Sequence, residues 1–374
     1  MSADARPVDR EGMRTQGMGR YAESLLDPLD TVAGDRGGEL LELRTSRGRQ
    51  SSSQRALSPR SRLVRRPPLP SRAVEIVDQG LLPLDLLRIG PDLHHSLAIY
   101  GTPLLSPVPV VTTVHDVVPL QWPGLYLQTG LVHRLLFRAV RRAAGIVCPS
   151  SATRVDLLLH LEVDPDRVHV VPDAADQRFR PADPLVARHR FGLEGPYLLY
   201  VGSLDDPRKD TRGLVDGFVA WSREEDRSET LVLAGPAGDT TGELEDRARR
   251  AGARVVFAGF VPDADLPSLY SGASCLVSAS RYEGFGLPIL EALACGTPVV
   301  AYAAGAIPET AGPGALLVPP GDGVALMRAV AHVCDEAETA ERLGGDGRRH
   351  AGRFSWRRTA ELTWDVYERV LARR

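Results

Sequence analysis

Residues Ser278 to Tyr302 read SASRYEGFGLPILEALACGTPVVAY, and the fold of the chain is decided there. An apolar strand over Cys275 to Ser278 opens into a loop, Ser280-Arg281-Tyr282-Glu283-Gly284-Phe285-Gly286. A short helix follows, with Pro288 in its first turn, where a missing N–H costs nothing. Gly296 ends that helix, and Pro298-Val299-Val300 starts the next strand. Strand, turn, helix and strand in this order belong to a parallel α/β sheet. Two carboxylates frame the turn, Glu283 on the loop and Glu291 in the helix. Between them, Gly284, Phe285, Gly286 and Leu287 form a glycine-rich entry to a helix. The positive end of the helix dipole makes such an entry a seat for phosphate. An anion seat with carboxylates beside it suits a ligand that carries both phosphate and hydroxyls, such as a nucleotide-sugar.

Glu283, seven intervening residues and Glu291, set around GFGLP and followed by GTPVV, resemble the signature of the family 4 retaining glycosyltransferases. The resemblance implies the α/β GT-B fold, two Rossmann-like doubly wound domains facing across a cleft. Other elements match the same family. HDVVPL at His115 to Leu120 resembles its His-Asp-x-x-Pro element, and Gly202 to Lys209 resembles its Gly-x-x-x-x-Pro-Arg-Lys element. The combination most resembles the mannosyltransferase-like branch. GDP-mannose is the favoured donor, a UDP-sugar the alternative, and the implied acceptor is a glycan or a lipid-linked sugar.

Composition agrees with a globular enzyme of two domains. The chain has 374 residues, 43% hydrophobic and 25% charged. No apolar run approaches the ~18 residues of a spanning helix, and the polar start shows no signal peptide. Cys148, Cys275, Cys295 and Cys334 lack paired spacing, which argues for reduced thiols and against a zinc site. A cytoplasmic location is expected, peripheral to the inner membrane face in one reading. Of the 45 basic residues, 44 are arginine, so the one lysine, Lys209, stands out as placed for a role. A compact ammonium against a phosphate is such a role.

Three parts are expected. Residues 1–180 form an acceptor-binding Rossmann-like domain, residues 185–353 a nucleotide-sugar-binding one, and residues 354–374 a helix crossing back to the first. In the first part, the strand that should precede Gly17 and Gly19 reads as missing. That gap leaves open a degenerate member that binds glycans without catalysis. Residues 44–72 hold nine arginines and no acid, with many Ser and Pro, and read as a loop. Solvated loop, contact with an acidic membrane surface and contact with an anionic acceptor are its alternative readings. No aromatic interleaving supports nucleic acid. Leu81 to Ile89 reads as helical. Leu127 to Arg142 reads as an amphipathic helix by Leu131, Leu135, Phe137 and Val140. In the second half, strands are expected at 197–201, 230–234, 255–258, 274–278, 299–302 and 315–318.

The resemblance assigns site residues one by one. Gly17 and Gly19 would face the donor phosphates, and His115 would lie near the transferred sugar. Lys209 and Arg208 would neutralise the leaving diphosphate. The family often places an arginine directly after the first glycine of this element, where this chain has Ser203, so Arg208 is expected to supply that charge. Gly284, Phe285, Gly286 and Leu287 would seat the phosphates. Glu283 would orient the sugar hydroxyls, Glu291 would hold the ribose, and Val261 would meet the nucleobase through its backbone. No cofactor and no metal are expected. With no metal-binding element read in the sequence, cations and the helix terminus would carry the leaving-group charge. A phosphorylase or epimerase of the same fold is the enzymatic rival.

Overall fold

The computed structural model describes residues 1–6, 17–45, 60–66, 71–126 and 130–373. The chain divides into two compact units. One comprises Met1–Asp173 together with Trp356–Arg374, the other Ala174–Ser355. Each unit is built on a parallel sheet.

The first unit holds seven strands: β1 (Ser2–Asp4), β2 (Leu41–Thr45), β3 (Ser61–Val64), β4 (His94–Ser96), β5 (Val110–Thr113), β6 (Gly145–Cys148) and β7 (Val168–Val170). Their order is β3-β2-β1-β4-β5-β6-β7, every neighbouring pair parallel. Two expectations are corrected here. The first strand is present: Ser2-Ala3-Asp4 is β1, paired with β2 and β4 in the middle of the sheet. It has no apolar run to betray it. Its polar side chains are satisfied internally, Ser2 Oγ lying 3.0 Å from His94 Nδ1 and Asp4 being paired with Arg6 at 2.6 Å. With this strand in place, the ground for reading the chain as degenerate is removed. The second correction concerns residues 44–72, which are not loop throughout. Ser61–Val64 forms the edge strand β3, and most of the remainder of that stretch lies outside the described residues.

Helix α1 (Gly17–Asp35) follows β1, and α2 (Ser71–Ile89) follows β3. Helix α2 begins ten residues before Leu81, running through Gly80 and Pro83, which read as breakers. Helix α3 (Gly130–Arg142) buries His133, Leu136, Phe137 and Val140. Leu131, expected on its buried face, is 82% exposed, so the apolar stripe starts a turn later. Residues 127–129 lie outside the described residues. Helix α4 (Ser151–His160) is capped by Ser150, whose side chain accepts from the Thr153 N–H at 3.0 Å.

The second unit holds β8 (Tyr197–Val201), β9 (Thr230–Ala234), β10 (Val255–Gly259), β11 (Cys275–Ser278), β12 (Val299–Tyr302) and β13 (Ala315–Val318). These are the six expected strands, to within a residue. Their order, β10-β9-β8-β11-β12-β13, reverses direction between β8 and β11. At such a switch point the loops leaving two adjacent strands turn to opposite sides and open a crevice. The loop after β8 leads to α5 (Thr211–Glu224), and the loop after β11 to α6 (Leu287–Ala294). A short helix, α7 (Ile307–Ala311), follows β12. Strands Leu276-Val277 and Val299-Val300 are buried on both faces, as central parallel strands must be.

The last helix, α8 (Trp356–Ala372), packs against the first unit. Tyr367 OH lies 2.6 Å from His95 Nδ1, and Arg36 reaches Asp365 at 2.9 Å. Val366 and Val370 rest on Gly145, where an added Cβ would come within 3.0 Å of Val370.

Candidate active site

The second unit gathers most of the expected site residues at its switch point. Lys209 ends a short turn, Pro207–Lys209, after β8. Asp206 builds that turn. Its carboxylate accepts from the Arg208 N–H at 3.0 Å, and its carbonyl accepts from the Lys209 N–H at 2.9 Å. Asp210 then takes a left-handed conformation, φ 47°, and caps α5 by accepting from the Gly213 N–H. This kink turns the Lys209 side chain toward the loop after β11.

There Lys209 Nζ donates to Glu283 Oε1 at 2.5 Å, with both side chains about one-seventh exposed (15% and 14%). The two loops are joined twice more. The Arg281 N–H donates to the Arg208 carbonyl at 2.7 Å, and the Arg281 guanidinium pairs with Asp210 at 2.8 Å. Arg208 faces Asp206 in a two-pronged contact, Nη2 at 2.6 Å and Nε at 3.0 Å. Burial would raise the Asp206 carboxyl, but the Arg208 contacts hold it below its ordinary value. Arg208 is therefore locally neutralised, while Lys209 is opposed by Glu283 itself.

The Glu283 loop is braced from behind. The Ala306 N–H donates to the Glu283 carbonyl at 2.9 Å, and Thr310 Oγ1 of α7 donates to the Phe285 carbonyl at 2.6 Å. Gly305 makes this approach feasible. Its φ is +55°, and a Cβ there would lie 2.5 Å from the Glu283 carbonyl oxygen. The Phe285 ring stands edge-on to Phe354, centroids 6.0 Å apart. Gly286, φ +95°, then starts α6 and brings Leu287 to its first turn. A small pocket beside Glu283 and Gly286 is lined by Tyr200, Ser278, Ser280 and Ile289.

Glu291 lies one turn into α6 and is buried, 2% exposed. Its Oε2 accepts from Tyr270 OH at 2.9 Å, and the Tyr270 ring is set edge-on against Phe179 at 5.9 Å. Val261 is buried beyond the end of β10, next to a Phe260 side chain that is 59% exposed.

His115, Gly17 and Gly19 belong to the first unit. His115 follows β5, and its Nε2 lies 2.9 Å from the Leu97 carbonyl. A carbonyl only accepts, so Nε2 carries the proton and Nδ1 is the ring's acceptor. Burial lowers the pKa of His115, against the opposing pull of Leu97 and Asp116. Tyr21 packs edge-on to His115 at 4.7 Å. It sits in the first helical turns that Gly17 begins, so the start of α1 and His115 are brought together. Asp173, the last residue before the second unit, is buried, and its Oδ1 has no hydrogen-bond partner among the described residues.

Sequence reasoning missed three contributors: Asp206, Arg281 and Tyr270. Arg281 lay inside the quoted motif and was legible as a cation beside Glu283. Tyr270 stands 21 positions before Glu291 and left no local signal.

Two family models match the chain. Glycosyltransferase Family 4 covers residues 17–178, and Glycosyl transferases group 1 covers residues 195–336. The O-antigen chain mannosyltransferase B of Escherichia coli is 30% identical over 268 residues, 69% of this chain and 70% of that protein. The MMP alpha-(1->4)-mannosyltransferase of Mycolicibacterium hassiacum is 32% identical over 307 residues, 75% of this chain and 71% of that protein. The 2-deoxystreptamine glucosyltransferase of Streptomyces kanamyceticus is 31% identical over 308 residues, 78% and 79% of the two chains. Among solved structures, sucrose-phosphate synthase from Thermosynechococcus elongatus superposes with a TM-score of 0.79 at 21% identity, covering 100% of this chain and 99% of that one. That likeness shows the fold, two Rossmann-like domains of the GT-B type. The chain belongs to the family 4 glycosyltransferases and is a hexosyltransferase.

Proposed function

We propose that this enzyme transfers mannose from GDP-mannose to a glycan or lipid-linked acceptor, with retention at the anomeric carbon and without a metal ion. The observation that carries the reading is the meeting of Lys209 and Glu283 at the switch point, beside the N-terminus of α6. A departing nucleoside diphosphate develops negative charge, and stabilising that charge is the largest demand of glycosyl transfer. Lys209 is a compact cation there, and the α6 dipole adds to it. Arg281, 57% exposed at its side chain and paired to Asp210, adds a cation at the rim. Glu283 takes the sugar hydroxyls once Lys209 turns to phosphate. Glu291, oriented by Tyr270, accepts from the ribose. His115 offers Nδ1 as an acceptor to a sugar hydroxyl.

The two mannosyltransferase relatives support mannose as the sugar. The glucosyltransferase relative supports a hexose other than mannose, and the second reading is such a hexose with UDP as its carrier. An acceptor at the inner face of the cell envelope fits both.

A panel of nucleotide-sugars tests the reading by thermal shift and by release of labelled sugar, each with and without a chelator. GDP-mannose should raise the melting temperature most. Turnover should be unchanged by the chelator. A larger shift with a UDP-sugar selects the second reading. Turnover abolished by the chelator overturns metal independence.

A further inference from the structure

Phe285 is held twice, by Thr310 at its carbonyl and by Phe354 at its ring, and both supports lead to one side chain outside the site, His350. His350 lies in the last turn of the helix Ala337–Ala351. Its ring stands edge-on to Phe354, centroids 5.3 Å apart, and Phe354 stands edge-on to Phe285 at 6.0 Å. The same ring lies against Gly312, the residue that ends α7 two positions after Thr310. A Cβ built on Gly312 would come within 2.7 Å of ring atoms Cε1 and Nε2. The turn takes φ +51° at Gly312 and leaves no space for a side chain there, so it admits the ring only as glycine.

The helix that carries His350 has a close footing on α6. A Cβ on Gly344 would meet the Gly296 carbonyl oxygen at 2.4 Å, just past the end of α6. A Cβ on Gly347 would meet Leu293 Cδ2 of α6 at 2.5 Å. From this footing the His350 ring reaches both supports of Phe285. Its two ring nitrogens are buried and have no hydrogen-bond partner among the described residues. An imidazole left unpaired in this way acts by its shape, and the cost of leaving it unpaired calls for a reason.

We propose that His350 is a positioning residue for the donor: a ring wedged between the Gly312 turn and Phe354 that fixes both supports of Phe285, and through them the Gly284–Leu287 seat of the leaving diphosphate. The role rests on the reading of that seat given under the proposed function. A seat made of backbone N–H groups works only while its backbone is held, since a misplacement of about 1 Å can cost ~10²-fold in rate. Loss of the His350 ring frees the turn behind Thr310 and the ring of Phe354 together, so neither support replaces the other.

The test compares wild type, His350→Ala and Val330→Ala by hydrogen–deuterium exchange and by calorimetry with GDP and with UDP. Val330 is fully buried in the helix Gly323–Asp335, which packs on α5, and its truncation controls for a general loss of core. His350→Ala should speed exchange severalfold over residues 280–290 and 304–312. It should also weaken nucleotide binding about tenfold, the scale of one lost hydrogen bond to a charged group. Val330→Ala should lower the melting temperature and leave both readouts as in wild type. Should His350→Ala fail to fold, Phe354→Leu, which removes the ring between His350 and Phe285, must give the same pattern. Wild-type exchange over residues 280–290 in the folded His350 variant overturns the proposal. So does faster exchange there with unchanged nucleotide affinity, which leaves His350 a packing residue only. An equal response in Val330→Ala overturns it as well, by making the effect general. A wild-type chain that binds neither GDP nor UDP overturns the donor reading itself, and this role with it.

Discussion

Lys209 and Glu283, 74 positions apart in the chain, are held in a 2.5 Å ion pair at the switch point of the second sheet. In the proposed reaction each would serve a different part of a nucleotide-sugar, while in the structure each occupies the other. An incoming diphosphate would compete with Glu283 for the ammonium and release the carboxylate to the sugar.

Glu283→Gln should therefore tighten binding of free GDP about fivefold, the scale of a partly buried pair worth ~1 kcal/mol. The same variant should lose turnover, because the amide no longer accepts strongly from the sugar hydroxyls. Calorimetry with GDP and labelled-sugar transfer report the two effects separately. GDP affinity that does not rise would show that the pair does not compete with phosphate. Lys209→Ala should weaken GDP binding and slow transfer by ~10²-fold or more.

Gly305 offers a test of the bracing. Its φ of +55°, and the 2.5 Å that would separate an added Cβ from the Glu283 carbonyl oxygen, leave no room for a side chain. Gly305→Ala should push the Glu283 loop off its hydrogen bond from Ala306, costing roughly 1–3 kcal/mol of local strain. Transfer should fall tenfold or more while the melting temperature moves only a few degrees. Wild-type kcat/KM in this variant would show that the loop finds its active form without the brace.

Tyr270 and Glu291 form a buried hydrogen bond of 2.9 Å. If Tyr270 orients the carboxylate for the ribose, Tyr270→Phe should weaken nucleotide binding by about 1 kcal/mol, near fivefold. Glu291→Gln should weaken it further and leave kcat at saturating donor nearly intact. Donor affinity unchanged in Glu291→Gln would remove Glu291 from the ribose. The split between binding and turnover distinguishes this role from a general loss of packing.

Much of this site was readable before the fold. The run from Ser278 to Tyr302 fixes a strand, a loop and a helix by itself, because apolar run, glycine and proline each act locally. The six strands of the second unit are apolar and short, and they stood out. Strand β1 did not. Ser2-Ala3-Asp4 owes its place to long-range pairing with β2 and β4, and its side chains are satisfied by His94 and Arg6. Helix α2 hid its first half for a related reason, since Gly80 and Pro83 lie on its exposed stripe, where the core does not constrain them. The Lys209–Glu283 pair was equally out of reach. Its members were each singled out, but their contact depends on strand order, which spacing does not encode.

Asp173 supplies a prediction in pH. It is the last residue of the first unit before the chain enters the second, it is buried, and burial pushes its carboxyl up to about 8. In the unfolded chain an Asp titrates near ~3.9. Between roughly pH 4 and 8 the folded state holds this proton and the unfolded state does not, so stability falls as pH rises through that window. Below it both states are protonated, and above it both are ionised, so the contribution is level at each end. Asn cannot ionise, and Asp173→Asn should be free of the loss. Its melting temperature should match wild type near pH 4 and exceed it increasingly toward pH 8, with a gain on the order of 1–3 kcal/mol. Thermal melts of both proteins across the range check this. Parallel curves would mean that Asp173 is hydrated or paired in solution and titrates as an ordinary carboxylate.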